Sequence, residues 1–220
     1  MNIIKFMCEK IVNAFIKLYE GCKCAINRSK IKCKDFSVIS NNCWGGFVYQ
    51  MFGFEYTSPT IGLFIMESDY IKFVSDLNVY LLKPLEFIRP EDSRFYNKLT
   101  NDGQNPISYP VARLDDVDIF FMHYHSEEEA REKWQRRCKR INFDRLIVKI
   151  SERNDCNEEI IDAFCKLPFK NKLCFTQKKY ENHECCVFVN GFEEANKSGI
   201  DETELTLKSI NIFNFINNCL

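Results

Sequence analysis

Residues 35–54, DFSVISNNCWGGFVYQMFGF, constrain the fold of this chain more than any other stretch. Residues 36–40 form a short apolar run of the kind that becomes a buried strand. Residues that commonly start helices stand at the end of the run and directly after it, namely Ser40, Asn41 and Asn42. The apolar segment 46–53 is typical of a helix that ends at a glycine. The sequence therefore predicts a strand, a tight turn that holds Cys43, and a helix.

Cys43 lies in this turn, near the predicted start of the helix. Free backbone N–H groups and the positive end of the helix dipole meet at such a position. They favour a thiolate over a thiol, and they equally suit a bound anion such as a phosphate group. Cys43 is therefore a candidate nucleophile, and the alternative is a packed cysteine with a structural role only.

Twelve cysteines in 220 residues raise the question of disulfides or metal binding. Their spacing contains no C-x-x-C pair, only Cys22-x-Cys24 and the adjacent Cys185 and Cys186, and no signal peptide is recognisable. We therefore expect free thiols in the reducing cytoplasm and no structural metal. The formal net charge of −1 argues against a nucleic-acid-binding protein.

Residues 1–34 differ from the rest of the chain. Apolar residues recur there at helical spacing, and eight Lys and Arg against two Glu give the segment a net charge of +6. We expect an amphipathic helix and a basic linker, which either rest on an anionic membrane surface or dock on the rest of the protein. Residues 35–220 are predicted to form a single α/β domain.

Strands and helices alternate along most of this domain. Strands are predicted at residues 36–40, 60–66, 109–114, 117–124, 145–150, 173–176 and 186–189. Helices are predicted at residues 46–53, 69–82, 127–141, 157–167 and 205–217, with irregular loops at 89–108 and 190–204. This order indicates a three-layer α/β/α domain with a mostly parallel sheet and an antiparallel edge.

Cys43 follows one predicted strand, and His123 ends another that also feeds a helix. If the two strands are parallel, both residues emerge at the same edge of the sheet, where sites in such folds form. A thiol within hydrogen-bond reach of an imidazole is an activated nucleophile, and an Asp or Asn that orients the imidazole completes it. The candidates for this third group are Asn41, Asn42 and Asp155. The alternative for His123 is a strand-end histidine bonded to a backbone carbonyl.

The turn around Cys43 also supplies candidates for substrate binding. Its backbone N–H groups can form an oxyanion hole, since two glycines permit close approach. The predicted substrate-binding residues are Ser40, Asn41, Trp44, Gly45, Gly46 and His125. No cofactor is predicted, because the chain has no G-x-G-x-x-G or Walker pattern. His123 and His125 lack a third ligand, so no metal is predicted there.

Five motifs in order carry a resemblance to a known family: SNNCWGG, SPTIGLFI, DYIKF, FMHYHSEEEAREKWQRRCKRIN and LPFKNKLCFT. Through them, residues 30–190 resemble a bacterial family of unknown function numbered 1919, often described as exopolysaccharide biosynthesis proteins, and the N-terminal helix lies outside the resemblance. The resemblance implies an α/β fold and a link to capsule or exopolysaccharide gene clusters. More faintly, an early Cys, a later His and the W-x-R-R pattern are similar to proteins described as papain-like cysteine peptidases, which supports Cys43 and His123 as a pair.

The function expected from the resemblance is surface-polysaccharide biosynthesis, by a thiol-dependent enzyme that transfers an acyl or similar group to a sugar. The alternative is a non-catalytic or glycosyltransferase-like module that binds a nucleotide sugar or lipid-linked sugar through the same turn. A third hypothesis is a structural partner of a membrane-bound assembly, docked by residues 1–34. The expected location is the cytoplasm, with peripheral contact at the inner face of the membrane.

Overall fold

The computed structural model describes residues 2–198 and 202–219. Its strands are β1 Ser37–Ser40, β2 Phe64–Ile65, β3 Glu86–Ile88, β4 Val111–Leu114, β5 Val117–Phe120, β6 Leu146–Ser151, β7 Asn171–Thr176 and β8 Cys186–Phe188. Its helices are α1 Asn2–Ser29, α2 Trp44–Phe52, α3 Glu67–Ser75, α4 Leu77–Tyr80, α5 Tyr96–Thr100, α6 Glu127–Cys138, α7 Glu158–Lys166, α8 Phe192–Ser198, α9 Thr203–Ser209 and α10 Ile212–Cys219.

Within these ranges the strands form two sheets. One is wholly parallel, in the order β1-β6-β7-β8, and the other is antiparallel, in the order β2-β5-β4-β3. The predicted α/β fold with a mostly parallel sheet is confirmed. The antiparallel strands form a sheet of their own, because β4 and β5 make a hairpin at Asp115 (φ 61°) that pairs with β3 on one side and β2 on the other. The Ile65 N–H donates to the Asn41 carbonyl at 2.9 Å and joins β2 to the end of β1.

Strand β1 is covered on both faces. Val38 and Ile39 point to opposite sides, and both are fully buried. Val38 belongs to the apolar cluster that contains Trp44 of α2, and Ile39 to the cluster that contains Phe164 of α7. Helices therefore cover both faces of the parallel sheet, in the predicted three layers.

Local capping signals set two helix ends as the sequence predicts. Gly53 ends α2 in the left-handed conformation, with φ 62°. Ser126 accepts the Glu129 N–H at 3.2 Å, and the Glu129 carboxylate accepts the His125 N–H at 2.8 Å. The predicted N-cap at Ser126 is therefore confirmed, and the Glu129 carboxylate reaches back one residue further than in a standard capping box, to His125 instead of Ser126.

The two segments predicted as loops contain helices. Helix α5 lies within residues 89–108, because Leu99 packs against the apolar cluster around Val111. Helix α8 lies within residues 190–204, because Phe192 is buried. Tertiary packing outweighs weak local propensity in both places. The predicted terminal helix is divided into α9 and α10.

Helix α1 continues to Ser29, so the predicted basic linker is shorter than expected. Its last turns dock on α2, where Asn27 Nδ2 donates to the Met51 carbonyl at 3.0 Å. Earlier in the helix, Phe15 and Tyr19 are 67% and 71% exposed. None of the described helices has the length and apolar character needed to cross a membrane. The membrane contact expected of this segment stays a prediction.

Candidate functional site

A cavity of about 530 Å³ opens where β1 and β6 end. The helix after β1, α2, and the helix after β6, α7, pack on opposite faces of the sheet. Adjacent parallel strands whose helices diverge in this way leave a crevice at their carboxyl ends. The polar lining includes Asn42, Cys43, Glu67, His123, Arg153 and Glu202, and the apolar lining includes Trp44, Phe47, Phe64 and Tyr109.

Cys43 and His123 share this cavity. Cys43 occupies the N-cap position of α2, with φ −67° and ψ −9°, and its side chain is partly exposed. His123 follows β5, and its backbone N–H donates to the Gly62 carbonyl at 3.1 Å. Both residues also line an adjoining cavity of about 290 Å³. Both members of the predicted pair thus line the same two cavities, although His123 comes from the antiparallel sheet and not from a strand parallel to β1.

The side chains predicted to orient His123 are engaged elsewhere. Asn42 lines the cavity, but its Oδ1 accepts a hydrogen bond from Lys149 Nζ at 2.9 Å. Asp155 accepts a hydrogen bond from Ser68 Oγ at 2.5 Å and lies outside the lining of both cavities. Asn42 therefore stabilises the turn that holds Cys43, and Asp155 stabilises the first turn of α3.

Parts of the predicted substrate-binding turn serve packing. Ser40 is fully buried, and Gly45 fits closely against Val38, whose Cγ1 would lie 3.3 Å from an added Cβ. Neither residue lines the two cavities. Trp44 does line the larger cavity, where its Nε1 donates to Thr206 Oγ1 at 3.1 Å and fixes the ring. Only some of the predicted substrate-binding residues therefore line a cavity.

Two backbone donors of the turn are already used within it. The Trp44 N–H donates to Asn42 Oδ1 at 3.2 Å, and the Gly46 N–H donates to the Cys43 carbonyl at 2.9 Å. These two groups serve as the predicted oxyanion donors only if the turn rearranges. Gly46 lines the smaller cavity, whereas His125 is exposed and outside the lining of both.

A buried ion pair that was not predicted from the sequence includes Glu202, which lines the larger cavity. Lys149 Nζ donates to Glu202 Oε1 at 2.5 Å, and the two side chains are 0% and 3% exposed. Ser151 Oγ donates to the same oxygen at 2.5 Å, and Arg153 lies 3.6 Å from Glu202 Oε2. Burial disfavours the Glu202 carboxylate, but the Lys149 ammonium and the hydrogen bonds outweigh it, so the pKa of Glu202 is lowered.

Glu67 is a second acid that lines the larger cavity, and it is fully buried. Its Oε1 accepts hydrogen bonds from Asn41 Nδ2 at 3.0 Å and from Asn154 Nδ2 at 3.2 Å. Burial first, and then the neighbouring Asp155 carboxyl, raise the pKa of Glu67 well above its ordinary value. The lining therefore combines an ionised carboxylate, Glu202, with a carboxyl group that is poised to hold a proton.

Glu67→Gln should make stability depend less on pH. Folded wild-type protein keeps a proton on Glu67 that the unfolded chain loses above its ordinary pKa of about 4.5. The proton on Glu67 therefore contributes fully to the free energy of unfolding below this pH. The contribution falls as the pH rises from there toward the raised pKa of Glu67 in the folded protein, by at most about 1.4 kcal/mol per pH unit. Urea denaturation between pH 4.5 and 8.5 should show the variant gaining on the wild type, while the exposed Glu193→Gln control follows the wild type. Parallel curves for Glu67→Gln and wild type would contradict the raised pKa.

Gly62→Ala should disturb the position of His123. Gly62 has φ 70°, and an added Cβ would lie 3.3 Å from both His123 Cβ and Tyr124 Cε2. Gly191 is also left-handed, with φ 76°, but an added Cβ would meet nothing within 4 Å. Gly191→Ala should therefore lower the free energy of unfolding only by the conformational cost of about 1–2 kcal/mol. Gly62→Ala should lower it further and should shift the imidazole resonances of His123. Equal losses of unfolding free energy, with unchanged His123 resonances, would refute this packing.

Two sequence comparisons place the chain among known proteins. The family described as "Domain of unknown function (DUF1919)" matches residues 15–217. An uncharacterized protein of Haemophilus influenzae is 36% identical over 177 residues, which cover 79% of each chain. The family match begins inside α1, so the second half of that helix belongs to the family region. The prediction that the resemblance covers only residues 30–190, with the N-terminal helix outside it, is therefore too narrow. Because the family match spans most of the chain, the chain belongs to the DUF1919 family.

Proposed function

We propose that this protein transfers an acyl group to a sugar in surface-polysaccharide biosynthesis, with Cys43 as nucleophile and His123 as general base. The observation that carries the proposal is that both side chains line the same two adjoining cavities. Cys43 is also partly exposed and begins a helix, where a developing thiolate is stabilised. The role in polysaccharide assembly comes from the family resemblance and is part of the proposal.

The larger cavity suits a sugar-sized polar substrate. Its volume of about 530 Å³ lies in the range usual for small-molecule sites. Carboxyl and amide groups of Glu67, Asn154 and Glu202 offer hydrogen bonds to hydroxyl groups, and the Trp44 and Tyr109 side chains supply apolar contact area. A lining with a few polar groups among aromatic ones is what such a ligand requires.

The proposed reaction has two steps and uses an acyl thioester as donor. In the first, His123 takes the proton of the Cys43 thiol, the sulfur attacks the acyl carbon, and the donor thiol leaves with that proton. In the second, His123 takes the proton of a sugar hydroxyl, whose oxygen attacks the acyl carbon on Cys43. The carbon–sulfur bond breaks, and the Cys43 sulfur recovers the proton from His123. The product is a sugar ester, and the protein returns to its initial state.

The test is direct detection of the acyl group on Cys43. Reduced protein is incubated with a panel of short acyl thioesters, and its intact mass and cysteine peptides are analysed. We expect one acyl group on Cys43, slower formation in His123→Ala, and discharge when a sugar acceptor is added. The proposal fails if no thioester in the panel acylates Cys43, or if acylation is confined to other cysteines.

A second function is favoured by one further observation. Arg153 is half-buried and lines the same cavity as Cys43 and Trp44 at the start of α2, so a phosphate group in the cavity meets a cation and the positive end of a helix dipole. This arrangement fits a nucleotide sugar or a lipid-linked sugar diphosphate held without a covalent step. Calorimetry with nucleoside-diphosphate sugars distinguishes the two functions. Binding that persists in Cys43→Ser, without any acylation of the wild type, would favour the non-catalytic module.

A further inference from the structure

Three cysteines come together at the β8 edge of the parallel sheet, although their spacing in the sequence matches no metal-binding motif. The Sγ atom of Cys165 lies 2.9 Å from that of Cys185 and 3.7 Å from that of Cys186. All three sulfur atoms lie within 4.8 Å of one another. Cys165 belongs to α7, Cys186 begins β8, and Cys185 precedes it. None of them lines the Cys43 cavity.

The backbone of the fold holds these side chains in place. Strand β8 runs parallel to β7, with Cys186 opposite Cys174. The Cys174 N–H donates to the Cys185 carbonyl at 2.8 Å, and the Cys186 N–H donates to the His183 carbonyl at 2.9 Å. Helix α7 packs on the same side and presents Cys165 to the pair. Main-chain hydrogen bonds and helix packing therefore bring the three side chains together, and their rotamers set the distances between the sulfur atoms.

We propose that Cys165, Cys185 and Cys186 bind one Zn²⁺ ion. In a tetrahedral site with Zn–S distances of about 2.3 Å, two sulfur atoms lie about 3.8 Å apart. The distance between the sulfur atoms of Cys165 and Cys186, 3.7 Å, matches this value, and side-chain rotation must widen the Cys165–Cys185 pair. The sequence alone predicts no metal, because these residues form no C-x-x-C pattern.

An open cleft gives the metal an entry path and a fourth ligand. It has a volume of about 390 Å³ and is lined by Cys165, Cys185, His183 and Lys172, among others. Water from this cleft can take the fourth position, and His183 can do so if its side chain rotates toward the sulfur atoms. The three thiols and the open side therefore need only side-chain rotation to bind the ion.

The surrounding charge suits a zinc–thiolate complex. Zn²⁺ binding displaces three thiol protons and leaves a complex with one net negative charge. Lys172 lies beside Cys165, with its Nζ donating to the Cys165 carbonyl and, at 2.6 Å, to the Leu167 carbonyl. Its positive charge offsets part of the negative charge of the complex.

The test is a zinc titration of the reduced, metal-free full chain against a competing chelator. We expect one Zn²⁺ per chain, release of about three protons, and protection of the three cluster cysteines from alkylation in peptide maps of the wild type. Cys185→Ser should weaken Zn²⁺ binding at least about tenfold, while the matched Cys22→Ser control, on exposed α1, should bind as the wild type does. Co²⁺ as a probe should give thiolate charge-transfer absorption that is lost in Cys185→Ser.

Four results would overturn the proposal. The first is the absence of stoichiometric Zn²⁺ uptake by the wild type, which needs no variant and is independent of folding defects. The second is protection of other cysteines by zinc, and the third is unchanged binding to Cys185→Ser. A Cys165–Cys185 disulfide recovered from protein kept under reductant would mark a redox pair and would equally exclude the metal site. The acyl-transfer proposal stands or falls separately, because it depends on Cys43 alone among the cysteines.

Discussion

Lys149→Met should lower the free energy of unfolding by about 3–5 kcal/mol. Lys149 is fully buried in β6, where its Nζ donates to Glu202 Oε1 at 2.5 Å and to Asn42 Oδ1 at 2.9 Å. Methionine fills much of the same volume but leaves the Glu202 carboxylate buried, with Arg153 at 3.6 Å as its nearest cation. Removing one partner of such a pair is costly because the other charge stays desolvated. Urea denaturation at pH 7 measures the loss.

Two comparisons isolate the buried charge as the cause. Lys149→Met combined with Glu202→Gln should regain most of the lost stability, since neither side chain is then charged. Lys197→Met removes an exposed ion pair with Glu193 and should leave stability nearly unchanged, because solvent screens that pair. If the double variant is no more stable than Lys149→Met, packing and not charge explains the loss.

Cys43→Ser should reduce acyl transfer at least about a thousandfold. The serine hydroxyl is nearly the same size, but it is a far weaker nucleophile than a thiolate at neutral pH. The matched control is Cys33→Ser, because Cys33 is also partly exposed and lies outside both cavities. Turnover of an acyl thioester in the presence of a sugar acceptor is the measurement. Cys43→Ser turning over as fast as Cys33→Ser would remove Cys43 from the reaction.

The local part of this site could be predicted from the sequence. The strand before Cys43, the helix after it and the glycine that ends the helix all follow from short-range patterns, and the structure confirms them. The predicted N-cap at Ser126 is also confirmed, with Glu129 accepting from His125 instead of Ser126. Such features depend on residues within about one helical turn of each other, so one sequence contains all the information they need.

The non-local part could not be predicted. Glu202 reaches Lys149 across 53 positions and comes from a segment predicted as a polar loop. A lysine inside the apolar strand LIVKIS was the available signal, because a buried ammonium group requires a partner. The prediction that Cys43 meets His123 assumed parallel strands, whereas His123 reaches the cavity from the second sheet. Pairing between distant strands is not specified by the periodicity of either one.

The thiol cluster shows the same limit. Cys165 and Cys185 are twenty positions apart, and their spacing fits no metal motif. Only the docking of α7 beside the start of β8 brings their sulfur atoms together. Motif spacing identifies metal sites that are built from one short loop or hairpin, and it misses sites assembled from separate elements.

The pH dependence of Cys43 alkylation tests the central claim, a working Cys43–His123 pair, most directly. The rate at Cys43 is followed by peptide mass spectrometry from pH 5 to 10 in the wild type, in His123→Ala and in His125→Ala. His125 is the matched control, because it is an exposed histidine two positions away and outside both cavities. We expect rapid alkylation well below pH 8.5, about the ordinary pKa of a free cysteine, with this reactivity lost in His123→Ala and kept in His125→Ala. An unreactive Cys43 in the wild type, or an unchanged profile in His123→Ala, would contradict the account.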